Sequence, residues 1–310
     1  CSKSDVQYSD PAEIGFAPVS GNITKAAGKT GNLDESQKLG IWAYWDNDVE
    51  TTDGVVETPV YAGYTDNYLV NALFAKKGTS WGGDNVAYPW PVNGALVFSG
   101  YTTPNSVVLD NVTYDLSDDK MTFTSYSNTN EFDLCWFGRT ASAYNYRAAG
   151  TAVPVSLSHA LSWVSIAVYG DGVPVDNWTI TSMSLNKVAS AGTAICNGAT
   201  KKATWEDVTI PTTAKSIYSG NHLITAGVTA DGKTTGTNLT DNVLIPSNNV
   251  ELTVNYSFKV GEQVKTDSKT ITLNTTIWES GVHYTYTLVF KGNEILVAPS
   301  YGEWGKSDQT

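Results

Sequence analysis

The 310-residue chain carries 31 acidic and 19 basic side chains, for a net charge of −12, and 41% of its residues are hydrophobic. This charge argues against nucleic acid as a partner, because the phosphate backbone would repel the protein. No run approaches the ~20 apolar residues that a membrane-spanning helix needs. Thr, Ser, Asn, Gly, Tyr and Trp are abundant while charged residues make up 16%, which favours an exported, strand-rich protein with room for two cores.

The sequence starts with Cys1, followed by the polar run Ser2 to Asp10. Lipoprotein processing attaches acyl chains to a cysteine in this position. We therefore predict export with a signal peptide and a lipid anchor at Cys1 in the outer membrane, with residues 1–10 as a hydrated tether. The alternative is that Cys1 only marks where the sequence starts and carries no lipid.

Short apolar runs separated by turn residues continue along the chain and predict β-strands. The first run, EIGFAPV, places Ile14 and Phe16 on the same face. Later runs in the first half are LGIWAYW, VVETPVYAG, ALVFSGY, VVLDNVTYDL, KMTFTSY and FDLCWFG. YLVNALFAK is compatible with one or two helical turns.

Aromatic residues concentrate in the segment Gly78 to Gly94, where Trp81, Tyr88 and Trp90 stand among glycines and prolines. This composition favours a surface loop. Exposed rings in such a loop would stack on sugar rings, so these three residues are candidate glycan contacts. The alternative is that the rings anchor the loop against the edge of a sheet.

Alternation resumes after the small, polar stretch from Thr140 to Thr151, in VPVSLSHALSWVSIAVYG. The apolar phase of this run slips near Ser162 and Trp163, which predicts a bulge or a bend. In NNVELTVNYSFKVG one face carries Val250, Leu252, Val254, Tyr256, Phe258 and Val260. Further on, HYTYTLVF and EILVAP are joined by Gly292-Asn293, a two-residue hairpin turn.

Many short strands with turns between them predict an all-β fold of antiparallel sandwiches. After the tether at residues 1–10, the polar stretch divides the chain into an amino-terminal β-sandwich domain at 11–147 and a carboxy-terminal one at 148–310. Cys135 and Cys196 both sit in strand-like runs and are expected to be buried free thiols, although a disulfide between them is the alternative.

Motifs for catalysis are nearly absent, and we predict no enzyme, catalytic residue, metal site or cofactor. His159, His222 and His283 lie far apart on separate strands or turns, where a structural role is the common one. The segment Gly227 to Thr234 matches the phosphate-loop pattern, but the following TGTNLTDN has no helical period. A phosphate loop needs a helix at this point, so we interpret the segment as a turn between strands.

Several segments in order resemble the fimbrillin family, the subunits of type V pili and related surface lipoproteins of Gram-negative anaerobes. The segments are IGFAPV followed by ITKA, LGIWAYW, YPWPVNGALVFSGYTTP, VSLSHALSWVSIAV and WESGVHYTYTLVFKGNEILVAPSYGEW. The resemblance covers most of the chain and implies two consecutive β-sandwich domains with transthyretin-like (Greek-key) topology and no enzymatic activity.

The resemblance also implies assembly by proteolysis-triggered donor-strand exchange. Ile14 and Phe16 would be the buried pair of a temporary plug strand, which leaves after a trypsin-like protease cuts at Lys25 or Lys29. Family members best known for this processing present arginine there, and this chain has lysine. The donor tail would carry the residues Ile295, Val297, Tyr301 and Trp304.

The sequence therefore predicts a structural pilus subunit, or an accessory subunit, that serves surface adhesion in a fimbrium. Its partners would be other pilus subunits, a processing protease and a host glycan or protein receptor. A glycan-binding surface lipoprotein is the first alternative. A glycosidase is the second, and it would need two carboxylates that face a cleft.

Overall fold

The structure is a computed structural model. It describes residues 12–18, 37–46, 66–91, 94–103, 108–128, 131–140, 152–172, 177–292 and 294–304, together with the backbone of two-residue strands at 24–25, 29–30, 51–52 and 55–56. The chain is all-β, as the alternating pattern predicts. Among these residues no helix is long and apolar enough to cross a membrane.

The described strands are numbered here in chain order. Those of the first half are β1 (Gly15–Pro18), β2 (Thr24–Lys25), β3 (Lys29–Thr30), β4 (Lys38–Asp46), β5 (Thr51–Thr52), β6 (Val55–Val56), β7 (Asp66–Lys77), β8 (Ser80–Gly83), β9 (Ala95–Thr103), β10 (Val112–Asp115), β11 (Lys120–Ser127) and β12 (Cys135–Phe137). Those of the second half are β13 (Val153–Val155), β14 (Ser158–His159), β15 (Ser162–Gly170), β16 (Trp178–Asn186), β17 (Ala191–Asn197), β18 (Lys202–Thr209), β19 (Lys215–Leu223), β20 (Val228–Ala230), β21 (Lys233–Thr235), β22 (Thr237–Leu244), β23 (Glu251–Val260), β24 (Gln263–Thr272), β25 (Val282–Lys291) and β26 (Glu294–Glu303).

The largest sheet has eight strands in the order β13-β1-β8-β7-β4-β9-β12-β14. Only residues 156–157 separate its two edge strands, β13 and β14, in the chain, and such a link spans at most about 11 Å. The two edges therefore lie close together, and the sheet curls around its own core. This first core includes Leu39, Phe74, Phe98 and Val153.

A four-stranded sheet, β10-β11-β17-β18, packs on the other face of the curled sheet. There Trp42 and Tyr101 of the curled sheet meet Phe123 of β11 and Cys196 of β17. Strands that follow residue 148, namely β13, β14 and β17, thus pair with strands that precede it, and β18 joins the same sheet through β17. The division into two domains at this residue stays a prediction.

Apart from the two-stranded sheet β20-β21, the rest of the second half is a sandwich of two four-stranded sheets, β22-β15-β25-β26 and β19-β16-β23-β24. Their facing sides form a second core that includes Val164, Leu288 and Phe290. In β23 the expected register is confirmed: Val254 and Tyr256 are buried, and Thr253, Asn255 and Ser257 are less so. Beyond Phe258 the strand extends past the core and becomes exposed.

The run VPVSLSHALSWVSIAVYG forms three strands, β13, β14 and β15. The chain leaves the curled sheet at β14 and enters the second sandwich at Ser162, where β15 begins. The predicted bend is therefore confirmed, and the change of apolar phase marks the passage from one core to the other. The hairpin between β25 and β26 is confirmed as well, since Lys291 pairs with Glu294 across two residues.

The helical alternative for YLVNALFAK is wrong, because this segment lies within β7. Asn71 adopts a left-handed conformation with φ 48°, and the pairing with β4 shifts register at the same place. This irregularity moves the inward side chains from Leu69 to Phe74, which are both buried. The odd spacing of five residues between these two inward side chains breaks the period of two that marks a strand.

Candidate functional site

The first strand occupies a slot between two other strands. β1 pairs antiparallel with β8, where Phe16 lies opposite Trp81. On its other side β1 pairs in parallel with β13, where Phe16 lies opposite Val153. Among the described strands β13 has no other partner, so removal of β1 would leave β13 and β8 both without a neighbour on that side.

Backbone hydrogen bonds extend this slot to the residues before β1. The Ile14 amide donates to the Tyr88 carbonyl at 2.8 Å, and the Trp90 amide donates to the Ala12 carbonyl at 2.9 Å. The segment that enters β1 is therefore held by the chain that follows β8.

The two side chains predicted to anchor the first strand point into the first core. Ile14 is 1% exposed and Phe16 is 0% exposed. The Phe16 ring meets Phe74 and Phe98 edge-on, with centroids 5.1 and 5.0 Å away. Burial of each anchor contributes about 1.5–3 kcal/mol, so an empty slot would expose a strongly apolar groove between two unpaired strands.

The aromatic residues of the segment 78–94 help to line this slot. Trp81 and Trp90 are 4% and 5% exposed and belong to the first core, while Tyr88 is half-buried and stacks on Phe74 at 5.2 Å. The two indoles are therefore anchors, as the alternative interpretation has it. The burial of these two rings contradicts the expectation that they form an exposed platform on which sugars stack.

The lysines predicted for processing lie on two short paired strands. β2 and β3 pair antiparallel, with Lys25 opposite Lys29. Cys1 and the tether lie outside the described residues.

The predicted donor tail is an integral edge strand of the second sandwich. β26 pairs with β25 along its full length, from Lys291 with Glu294 to Val282 with Glu303. The tail is therefore fastened in this structure, and its use as a donor would require its release from β25.

The four donor-tail side chains differ in their surroundings. Ile295 is buried and Val297 is partly buried, both against the second core. Tyr301 is 73% exposed, whereas Trp304 is 2% exposed and lies in the cluster between the curled sheet and its covering sheet. Of the four, Tyr301 is the one that has no place in a core.

β1 and β26 share a sequence pattern, which is visible when the two segments are aligned. Ile14-Gly15-Phe16-Ala17-Pro18 corresponds to Ile295-Leu296-Val297-Ala298-Pro299, with isoleucine, alanine and proline at the same places and an apolar third residue in both. The first and third side chains of each segment face a core. The tail therefore repeats the chemistry of the strand that fills the slot.

Two of the edge strands of the second sandwich, β24 and β26, differ in charge. In β24 the side chains of Lys265, Asp267 and Lys269 lie across from the apolar face of β23, and inward-facing charges on an edge strand discourage pairing with another chain. In β26 the charged residues are Glu294 and Glu303, at its two ends. The edge at β26 is thus the less protected one.

A row of four aromatic rings fastens the end of β26. His159 stacks on Trp304 with centroids 3.9 Å apart, Trp304 lies 5.8 Å from Trp163, and Trp163 stacks on His283 at 3.7 Å. His159 and His283 thus have structural surroundings. Sequence analysis did not find this row, because its members come from four separate strands or strand ends.

The segment 227–234 is not a phosphate loop. It forms the exposed hairpin of β20 and β21, with a turn in which Asp231 and Gly232 have φ 51° and 76°. No helix follows, so the interpretation as a turn between strands is confirmed.

Cys135 and Cys196 are both buried free thiols, as expected. Burial raises the pKa of each thiol well above its ordinary value, and the Asp133 charge adds to the rise at Cys135. Neither thiol is therefore set up as a reactive nucleophile.

Comparison with known proteins agrees with this architecture. A family model described as fimbrillin-like matches residues 24–304. A fimbrial protein from Bacteroides vulgatus is 20% identical, with a TM-score of 0.57 over 86% of this chain and 92% of that one. Candidate cell adhesion proteins from Bacteroides uniformis and Bacteroides ovatus are 14% and 12% identical, with TM-scores of 0.53 and 0.52 over 94% and 96% of this chain and 99% of theirs. At these identities the solved structures establish the fold alone. None of the curated proteins matches the chain.

Proposed function

The chain belongs to the fimbrillin-like family, and we propose that it is a subunit of a surface fimbrium in which β26 of one copy replaces β1 of the next. Fimbrial proteins are components of cell-surface appendages, and a structural role in such an appendage follows from the family. The finer proposal concerns how two copies join.

The observation that carries the proposal is the shared pattern of residues 14–18 and 295–299. A strand that enters the slot in the direction of β1 would run antiparallel to β8 and parallel to β13. Its backbone would take over the hydrogen bonds along both strands, and alternate side chains would enter the pockets. Ile295 would then replace Ile14, and Val297 would replace Phe16.

A second copy of the chain is the partner that this pattern favours, since donor and slot lie in the same sequence. A donor strand in one part and a slot in another make a head-to-tail contact, which does not close on itself and therefore gives chains of subunits. Cleavage at Lys25 or Lys29 would cut the covalent link between β1 and the remainder of its subunit, so that β1 can leave.

Two features explain why exchange would need a trigger. β1 is held by two buried anchors, and β26 is held by pairing with β25 and by burial of Trp304. Both strands must be released before they can be exchanged. The buried state of Trp81 and Trp90 gives the glycan-binding alternative no exposed platform in this part of the chain.

A strand-replacement assay tests the proposal. Protein clipped after Lys25 or Lys29 is incubated with a synthetic peptide of residues 294–304, and release of the amino-terminal piece is followed by chromatography and mass spectrometry. We expect release, and we expect a peptide with Ile295→Asp to fail because it would bury an unpaired charge.

The Phe16 pocket supplies a sharper variant of the same assay. Since Phe16 fills a space bounded by Phe74 and Phe98, a valine leaves part of it empty, and a peptide with Val297→Phe should replace β1 faster than the natural peptide. Equal behaviour of the natural, Val297→Phe and Ile295→Asp peptides would show that the tail does not enter this slot.

A further inference from the structure

Three side chains with different metal-binding chemistry converge where the curled sheet ends. Cys135 is the first residue of β12, and it pairs directly with His159 of β14. Asp133 lies two residues before Cys135, just ahead of β12, and its carboxylate joins the same cluster. The carboxylate, the thiol and the imidazole lie so close together that their ligand atoms are all within 4.8 Å of one another.

The distances within this cluster fit the coordination of a single ion. Cys135 Sγ lies 3.4 Å from His159 Nδ1, and the same nitrogen lies 3.0 Å from Asp133 Oδ1. A tetrahedral zinc ion has ligand bonds of about 2.0 to 2.3 Å, which separates neighbouring ligand atoms by about 3.3 to 3.7 Å. At these two pairs of atoms, coordination would require changes in distance of only a few tenths of an ångström, and the carboxylate and thiol also lie within 4.8 Å of each other.

The burial of the cluster favours a partner for its charge. Asp133, Cys135 and His159 are 7%, 1% and 5% exposed. An ionised carboxylate in such a place is costly unless it is paired. Binding of zinc would release the proton of the Cys135 thiol, and the divalent cation would then neutralise the two negative charges of the thiolate and the carboxylate.

Surrounding groups hold the ligands in place. The Thr102 hydroxyl accepts from the Cys135 amide at 2.8 Å and contacts the Asp133 and Cys135 carbonyls at 3.3 and 3.2 Å. Trp304 stacks on the His159 ring with their planes 2° apart. These contacts fix the backbone of the thiol and the orientation of the imidazole, as the outer contacts of a metal site commonly do.

We propose that Asp133, Cys135 and His159 bind one zinc ion through a carboxylate oxygen, Sγ and Nδ1. Thiolate and imidazole together select zinc over calcium and magnesium, which prefer oxygen ligands. The site is structural, because Trp304 and the sheets enclose it. It would bind β12 to β14 and thereby hold the edge of the curled sheet where the chain passes into the second sandwich.

Metal analysis of the folded, full-length chain tests this proposal. The protein is purified without a polyhistidine tag, dialysed against zinc and then against buffer, and its metal content is measured by mass spectrometry. We expect about one zinc per chain, with a water molecule completing the tetrahedron that the three protein ligands leave open. Cys135→Ser and His159→Gln should lose the zinc, whereas Cys196→Ser, at the other buried cysteine, should keep it.

Cobalt binding to the wild-type protein is a second test, which does not require any variant to fold. Protein stripped by a chelator and titrated with Co²⁺ should show the near-ultraviolet absorption of a thiolate bound to cobalt, saturating at about one equivalent. Wild-type protein that is folded by circular dichroism, holds no zinc after dialysis and shows no such absorption would overturn the proposal. The three groups would then be joined by hydrogen bonds alone.

Discussion

His159 and Trp304 stack face to face, with ring centroids 3.9 Å apart and ring planes 2° apart. His159 belongs to β14 at the edge of the curled sheet, whereas Trp304 directly follows β26 of the second sandwich. The contact therefore fastens the end of the proposed donor strand to the part of the molecule that holds the slot. Release of β26 has to separate these two rings.

Replacement of Trp304 by alanine should destabilise the protein by about 3–5 kcal/mol, because a fully buried indole leaves a cavity and loses its ring contacts. Chemical denaturation followed by circular dichroism measures the change. Tyr301→Ala is the matched control, since Tyr301 lies in β26 but is 73% exposed. Similar denaturation midpoints for the two variants would contradict the described packing of the tail.

Phe16→Ala should destabilise the protein by a similar amount, about 3–5 kcal/mol, through the loss of a ring that packs edge-on against Phe74 and Phe98. The same denaturation experiment measures it. Glu13→Ala, at an exposed neighbouring residue, should stay within about 0.5 kcal/mol of wild type. If both variants have the same denaturation midpoint as wild type, the first strand does not anchor the first core.

Val254→Asp should unfold the second sandwich, because Val254 is 0% exposed in its core and an unpaired buried charge costs several kcal/mol. Asn255→Asp should be tolerated, since this side chain points to the other face and the Ser182 hydroxyl at 2.9 Å can donate to the new carboxylate. Tryptophan fluorescence and circular dichroism report the loss of structure. Equal tolerance at the two positions would mean that the register of β23 is off by one residue.

The apolar pattern predicts β23 correctly and leaves β7 ambiguous for the same physical reason. In a strand with one buried face, buried residues recur at every second position, as Val254 and Tyr256 do in β23. In β7 the irregularity at Asn71 breaks that period, so that Leu69 and Phe74 both face the core although they are an odd number of residues apart. Composition identified the aromatic segment near Trp81. It did not show whether the rings face the core or the solvent, because tertiary packing decides this.

The cluster of Asp133, Cys135 and His159 could not be predicted from the sequence, for a different reason. Cys135 and His159 are 24 residues apart and meet only because β12 and β14 pair at the edge of the curled sheet. Spacing motifs detect ligands that share one turn or hairpin. The local signal, an aspartate two residues before a cysteine within an alternating run, is too common to indicate a site by itself.

Stability should fall in alkaline solution because of buried tyrosines. Burial raises the pKa of Tyr101 from 10.0 to about 12, so between these values the unfolded chain has lost a proton that the folded chain keeps. The free energy of unfolding therefore decreases as the pH rises through this window, by about 1.4 kcal/mol per pH unit for this group. Below pH 10 the full contribution is present.

Urea denaturation at a series of pH values measures this effect. Tyr101→Phe should show a shallower decline between pH 10 and 12 than wild type, although Tyr114 and Tyr126, whose pKa values burial also raises, preserve part of it. Tyr301→Phe is the control at an exposed tyrosine and should keep the wild-type slope. An unchanged slope in Tyr101→Phe would contradict the burial of its hydroxyl against Asn71 and Leu109.

Limited trypsin treatment should cut after Lys25 or Lys29 before any other site. The segment around them contains Gly21, Gly28 and Gly31, a composition that favours proteolysis. Amino-terminal sequencing or intact-mass analysis of the first product identifies the bond. A variant with both lysines changed to glutamine should survive longer, whereas Lys233→Gln, on the exposed β20–β21 hairpin, should be cut at the wild-type rate.

The clipped protein should keep its amino-terminal piece through size-exclusion chromatography, because the slot still holds β1 by its backbone pairing and by Ile14 and Phe16. Loss of the piece at once would mean that these contacts are weaker than their burial implies. A first cut at Lys233 would instead contradict the processing site. Subsequent growth of head-to-tail chains, and its loss on deletion of residues 295–310, would distinguish a polymerising subunit from one that only caps a fimbrium.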